Sequence, residues 1–115
     1  MHTTTKATRQ VNCLEALIKD IPNRSFPLEK IILFGSFASN RFHPRSDLDL
    51  CLIHPSAQSP TPTEKVAIES YFDHLVGQQM DVDYVYATPE KLTTGSQVFA
   101  SIRKEGLILW ERSGK

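Results

Sequence analysis

Two aspartates two positions apart follow a Gly-Ser pair at a fixed distance in this sequence. Gly35-Ser36 comes directly after an apolar run, and ten residues separate Ser36 from the Asp47-Leu-Asp49 triplet. On a β-strand, residues i and i+2 project from the same face, roughly 6–7 Å apart. Two carboxylates at that separation repel each other by roughly 2.5 kcal/mol at an effective dielectric near 20. Such a pair must bind protons, lie in water or hold a cation.

An all-oxygen ligand set of this kind favours magnesium. Mg²⁺ takes one or two carboxylates and completes its shell with waters and substrate phosphates. A third acid, Asp81 or Asp83, lies on a later short strand and could join the first two. Glycine lets the backbone approach a ligand closely, and nearby amides and the Ser36 hydroxyl can donate to a phosphate. The pattern therefore predicts magnesium-dependent phosphoryl or nucleotidyl transfer, with the Gly-Ser pair on the phosphates and the aspartates on the metal.

The elements that must position these residues alternate between helices and strands. Helical periodicity, alternating apolar residues and turn residues predict helices near residues 11–21, 62–76 and 98–105 and strands over 30–34, 47–53, 81–86 and 107–110. Thr61, with proline after it and glutamate three residues on, is a capping-box start for the second helix. The expected fold class is α/β (α+β), a small mixed β-sheet with helices packed on it in two layers.

Length, charge and cysteine content limit the domain organisation and the functions that the chain can have. The chain has 115 residues and zero net charge, which predicts a single domain over residues 1–115 and excludes a nucleic-acid binder that acts through a basic field. Cys13 and Cys51 fit no zinc or redox spacing and are expected to be small buried residues. The polar stretch 1–10 is expected to be flexible and is not a secretory signal, and no apolar run approaches the ~18 residues of a membrane span. A soluble, cytoplasmic protein is expected.

The stretch 35–50 resembles the signature of the DNA polymerase β-like nucleotidyltransferase superfamily, which is Gly-Ser, ten residues and Asp-x-Asp. The similarity is greatest to its minimal nucleotidyltransferases, small single-domain proteins that include the MntA-type antitoxins of HEPN/MNT toxin–antitoxin modules. The resemblance extends over residues 30–110. It includes residues 82–85, which resemble the strand that bears the family's third acid, and the closing stretch 105–110. The resemblance therefore implies the polymerase β-like core fold.

The resemblance also implies a role for each matching residue. Gly35 and Ser36 would bind the nucleotide phosphate. Asp47, Asp49 and Asp83 would form the catalytic metal site for two Mg²⁺ ions, and Asp83 would also help to activate the acceptor hydroxyl. The family often has glycine at the position of Asn40; asparagine tolerates a left-handed backbone, so the turn is expected to survive, while nucleotide affinity stays open.

The implied activity is that of a protein adenylyltransferase. It would transfer AMP from ATP to a hydroxyl, here a tyrosine, of a partner HEPN toxin, and so act as the antitoxin of a type VII toxin–antitoxin system in a hetero-oligomer. The alternative is a non-catalytic antitoxin that neutralises its partner by masking it. Neither membrane binding nor sequence-specific nucleic-acid binding is expected. Arg41 and Arg45 are interpreted as solvated loop residues, with neutralisation of phosphate charge as the alternative.

Overall fold

Within the residues that a computed structural model describes (6–39, 41 and 45–112), four strands form one sheet, and helices pack on both of its faces. The elements in chain order are α1 (Lys6–Asp20), a short 3₁₀ turn (Ile21–Asn23), β1 (Lys30–Phe34), β2 (Leu48–Ile53), α2 (Pro62–Val76), β3 (Val82–Ala87), α3 (Pro89–Thr94), α4 (Val98–Glu105) and β4 (Leu107–Glu111). The predicted fold class, a mixed sheet with helices packed on it, is confirmed.

The strand order β3-β2-β1-β4 brings the end of β1 and the starts of β2 and β3 together at one end of the sheet. β1 is antiparallel to both of its neighbours, and β2 is parallel to β3. The register places Phe34 opposite Asp49 and, on the other side of β2, Asp49 opposite Asp83. The sheet therefore sets the Gly-Ser turn and two of the predicted acids side by side.

The start of α2 is fixed by the capping box that the sequence predicts. The Thr61 N–H donates to Oε1 of Glu64 over 2.8 Å, and the Glu64 N–H donates to Oγ1 of Thr61 over 3.1 Å. The fixed φ of Pro62 suits the first helical position, where its missing N–H leaves no bond unmade. The helix then buries Phe72 and Val76 against the sheet and ends at Gly77, as predicted.

Each face of the sheet has its own apolar core, because residues along β2 alternate between the two faces. The β2 leucines (Leu48, Leu50 and Leu52) pack with α1 and α2. Cys51 and Ile53 pack on the other face with Phe99 and Ile102 of α4. The two-layer arrangement predicted from the sequence is therefore incomplete, because α3 and α4 form a third layer. Burial raises the pKa of the Cys51 thiol to about 11.

The chain outside this core bears on three further expectations. α1 begins at Lys6, inside the stretch 1–10 for which the sequence predicts flexibility. Asn40 lies outside the described residues, so its backbone conformation stays a prediction. Among the described helices, none combines the length and the apolar character that a membrane span requires.

Candidate functional site

The Gly35 backbone packs directly against the Asp49 carboxylate. Gly35 has a φ of +79°, in the left-handed region that side chains disfavour. A β-carbon placed on Gly35 would lie 2.2 Å from Oδ2 of Asp49, well inside van der Waals contact. Only glycine fits here, both for its φ and for this approach. The Gly-Ser pair and the first acid strand thus form one site.

A helical turn follows Gly35 and sets the backbone conformation at Ser36. The Ser39 N–H donates to the Gly35 carbonyl over 3.2 Å, and the Arg41 N–H donates to the Ser36 carbonyl over 2.8 Å. The Ser39 hydroxyl also donates to the Gly35 carbonyl over 3.1 Å, and buried Phe37 anchors the turn in the core. The first amides of a helical turn have no partner within the turn, so they can donate to an anion. This turn could hold phosphate oxygens next to Asp49.

Three carboxylates, those of Asp47, Asp49 and Asp83, lie at this end of the sheet, and the other two act on Asp49. Burial, then the negative charges of Asp83 and Asp47, and then a hydrogen bond with Asp83 raise the pKa of Asp49 from 3.8 to about 6. None of the ion pairs formed among the described residues involves these three side chains. Every cause that acts on the Asp49 pKa raises it, so the cluster is one that a cation would stabilise.

The donor set suits a magnesium ion, although the three side chains do not already converge. Among the residues with a described position, no three or more His, Cys, Asp or Glu side chains are gathered closely enough to hold a metal ion. Asp49 and Asp83 form the close pair, and Asp47 precedes β2, outside the strand ladder. Carboxylate oxygens are the ligands that Mg²⁺ prefers.

Asp83, rather than Asp81, lies beside Asp49. The backbone carbonyl of Asp81 accepts a hydrogen bond from the Leu48 N–H over 2.8 Å, which starts the ladder between β2 and β3. Asp81 is exposed and lines, with Asp47, a groove of about 370 Å³ formed by residues 45–47 and 77–81. Which of the two acids ligates a metal stays a prediction; the geometry favours Asp83.

The sequence did not reveal that α4 reaches the Gly-Ser turn. Nη2 of Arg41 lies 3.7 Å from Oε1 of Glu105, the last residue of α4. The two residues are far apart in the sequence and carry no shared motif, so no pattern could have paired them. Glu105 is therefore an additional residue at the edge of the site.

A larger cavity lies at the opposite end of the sheet, away from the acids. Its volume is about 630 Å³, and Phe26, Trp110 and Arg112 are among its lining residues. It adjoins the start of β1 and the end of β4, whereas the acids lie at the end of β1 and the start of β2. We assign the chemistry to the acid cluster because it holds the carboxylate with the raised pKa and the glycine turn that approaches it.

Comparisons with known proteins agree with this geometry. A family model described as a nucleotidyltransferase domain matches residues 15–109. A search among curated proteins gives no significant match. Among solved structures, a toxin–antitoxin with AMP-PNP is similar, with a TM-score of 0.52 and 24% identity over 88% of this chain and 73% of that one. A tyrosine-to-alanine mutant of the toxin–antitoxin MntA-HpeT gives a TM-score of 0.51 and 25% identity over 89% and 72% of the two chains.

Proposed function

Because the chain belongs to the nucleotidyltransferase domain family, which matches residues 15–109, we propose that it transfers AMP from ATP to a hydroxyl of a partner protein in the presence of Mg²⁺. The observation that carries this proposal is the contact between Gly35 and the Asp49 carboxylate, with Asp83 beside it. That arrangement joins a phosphate-binding turn to a cation-binding pair in one site.

Each residue of the site has a proposed role. Gly35 and Ser36 bind the nucleotide phosphates through backbone amides and the Ser36 hydroxyl. Asp47, Asp49 and Asp83 would hold Mg²⁺, with two ions as in other two-metal sites. When bound, Mg²⁺ neutralises phosphate charge and orients the α-phosphate for in-line attack. The chain itself contributes position, because the sheet register fixes Asp49 and Asp83 beside the Gly-Ser turn.

The chemistry proceeds by attack of the acceptor hydroxyl on the α-phosphorus of ATP. A bond forms between the hydroxyl oxygen and phosphorus, and the bond from phosphorus to the oxygen that bridges to the β-phosphate breaks. Pyrophosphate leaves, AMP stays on the acceptor oxygen, and the hydroxyl proton passes to Asp83. The exposed position of Asp83 on β3, an edge strand of the sheet, gives an acceptor access to it.

We infer that the acceptor is a tyrosine of a HEPN-type toxin, so that the protein acts as the antitoxin of a type VII module in a hetero-oligomer. Two observations support a protein acceptor. Similar solved structures are a toxin–antitoxin with AMP-PNP and MntA-HpeT mutants. The zero net charge offers no basic field for an RNA acceptor. The proposal places the protein in the cytoplasm, where ATP is available.

The direct test is a transfer assay with ATP radiolabelled at the α-phosphate. The protein is incubated with Mg²⁺ and the protein encoded by the adjacent reading frame, and we expect label on a tyrosine of that protein. Asp49→Asn should abolish labelling while the variant stays folded, and Glu15→Gln, a change of an exposed carboxylate on α1, should leave it intact. An unlabelled neighbour in a demonstrably folded complex would count against the proposal.

The masking alternative predicts a different outcome in cells. The Asp47→Asn/Asp49→Asn double variant lacks two of the proposed metal ligands but keeps the outer surface of the fold. If it still protects cells from the partner at native expression, binding alone neutralises the partner and transfer is not the antitoxic step. Loss of protection, with the complex still formed, supports transfer.

A further inference from the structure

An ion pair connects α4 to the segment that follows the Gly-Ser turn. Nη2 of Arg41 lies 3.7 Å from Oε1 of Glu105, and the Arg41 side chain is 71% exposed while that of Glu105 is 38% exposed. A pair at this distance and exposure is weak, because water screens both charges and two long side chains must be held in place. The Arg41 guanidinium can therefore change partner readily.

The backbone of Arg41 is nevertheless fixed beside the proposed phosphate site. Its N–H donates to the Ser36 carbonyl over 2.8 Å, which keeps the residue one helical turn from the Gly35-Ser36 pair. An arginine side chain extends several ångströms from its Cα, so from this anchor the guanidinium can reach either Glu105 or a phosphate at Ser36. Its planar fork of donors matches phosphate oxygens and makes stronger hydrogen bonds to them than a lysine would.

The charge balance at the site favours the phosphate over Glu105. Three acidic side chains lie at this end of the sheet, and none of the described ion pairs supplies them with a cation. A triphosphate adds several negative charges to that cluster, whereas Glu105 offers one, partly screened by water. A guanidinium within reach of both is drawn to the higher charge.

We propose that Arg41 is a triphosphate-binding residue that Glu105 holds in the absence of nucleotide, so that Glu105 competes with ATP for the guanidinium. This inference rests on the proposed function, because it assumes that the triphosphate lies on the Gly35-Ser36 turn. It assigns a binding role to Arg41 and a regulatory one to Glu105, at the junction of α4 with the site.

Equilibrium binding of α,β-methylene-ATP with Mg²⁺ tests the proposal, because this analogue cannot transfer AMP and no acceptor is needed. Arg41→Gln should weaken binding roughly tenfold or more, as expected for loss of a charge-assisted hydrogen bond to phosphate. Glu105→Gln should tighten binding about twofold to fivefold, as expected for release of an exposed ion pair. In the double variant, Glu105→Gln should have no effect, because there is no guanidinium left to release.

The Lys30–Glu111 ion pair provides a matched control. It has the same 3.7 Å separation but joins β1 to β4 at the other end of the sheet, so Glu111→Gln should leave the affinity unchanged. If Glu105→Gln also tightens binding in the Arg41→Gln background, then Glu105 acts on the nucleotide through its own negative charge and not through Arg41. That result would overturn the proposal. Unchanged affinity in both single variants would also overturn it while leaving the proposed function intact. A wild-type protein that binds no nucleotide would overturn both.

Discussion

Asp49 is expected to destabilise the fold at neutral pH, which makes its replacement by asparagine a direct test of the site geometry. Burial, the charges of Asp83 and Asp47, and the hydrogen bond with Asp83 raise the pKa of Asp49 from 3.8 to about 6. The folded state therefore binds the Asp49 proton more tightly than the unfolded state does. An asparagine side chain has nearly the same shape as aspartate, carries no charge and can donate a hydrogen bond to Asp83.

The sign and size of the effect follow from proton linkage. Because the pKa of Asp49 is higher in the folded state, the free energy of unfolding falls as the pH rises from about 4 to about 6. Above about pH 6 the loss of stability is complete and no longer changes with pH. The full difference in pKa corresponds to about 3 kcal/mol. Since Asp49 is only half-buried, screening by solvent reduces this to about 1–2 kcal/mol. The Asp49→Asn variant should be more stable by that amount at about pH 8 and equally stable at about pH 4.

Urea unfolding of the wild type and the variant across this pH range, without divalent cations, measures the difference. A gain of about 1–2 kcal/mol corresponds to a melting temperature higher by roughly 4–10 °C at about pH 8 for a domain of this size. Glu15→Gln, at an exposed position on α1, is the control and should show no such pH-dependent gain. An Asp49→Asn variant that is less stable at pH values where wild-type Asp49 is charged would refute the idea that burial and neighbouring acids destabilise this carboxylate.

Three further changes test the neighbouring contacts. Gly35→Ala should lower the free energy of unfolding, measured in urea, by more than about 2 kcal/mol, because residue 35 has a positive φ and lies against Asp49. The loss should be smaller in an Asp49→Ala background. An unchanged loss would show that backbone strain at residue 35 is its sole cause. Asp83→Asn should lower the pKa of Asp49, as measured by carboxyl ¹³C NMR titration, because a charge and the acid–acid hydrogen bond are both removed. An unmoved pKa would mean that burial and the charge of Asp47 raise it without a contribution from Asp83. Thr61→Ala should cost about 1 kcal/mol of stability in urea, while Thr61→Ser, which keeps the capping oxygen, should cost less than half of that.

The elements that the sequence predicted well are those fixed by local chemistry. The capping box at Thr61 and the alternation along β2 require only neighbouring residues, and both are present in the fold. The sequence did not predict the third layer. In the alternating pattern of β2, Asp49 and Cys51 lie on the second face, and these two residues gave no indication that α4 covers that face. The strained backbone of Gln97, with a φ of 54° at the break between α3 and α4, likewise has no sequence signal.

The pairing of Asp49 with Asp83 marks the limit of what the pattern could determine. A strand–helix–strand unit favours parallel neighbouring strands, so β2 and β3 were bound to start at the same end of the sheet. The periodicity does not determine the register between β2 and β3. A slip of two residues would leave every side chain on its face and would set Asp81, rather than Asp83, beside Asp49. The periodicity therefore allowed both acids.

What selects Asp83 is the length and bonding of the turn between α2 and β3. The N–H groups of Gln79 and Met80 both donate to the Val76 carbonyl, which closes the turn tightly after the helix. The Leu48 N–H then meets the Asp81 carbonyl, and this bond fixes the register for the whole strand pair. The acid that faces Asp49 is thus determined by backbone hydrogen bonds several residues away. A site defined by strand register depends on such turns as much as on the acids themselves.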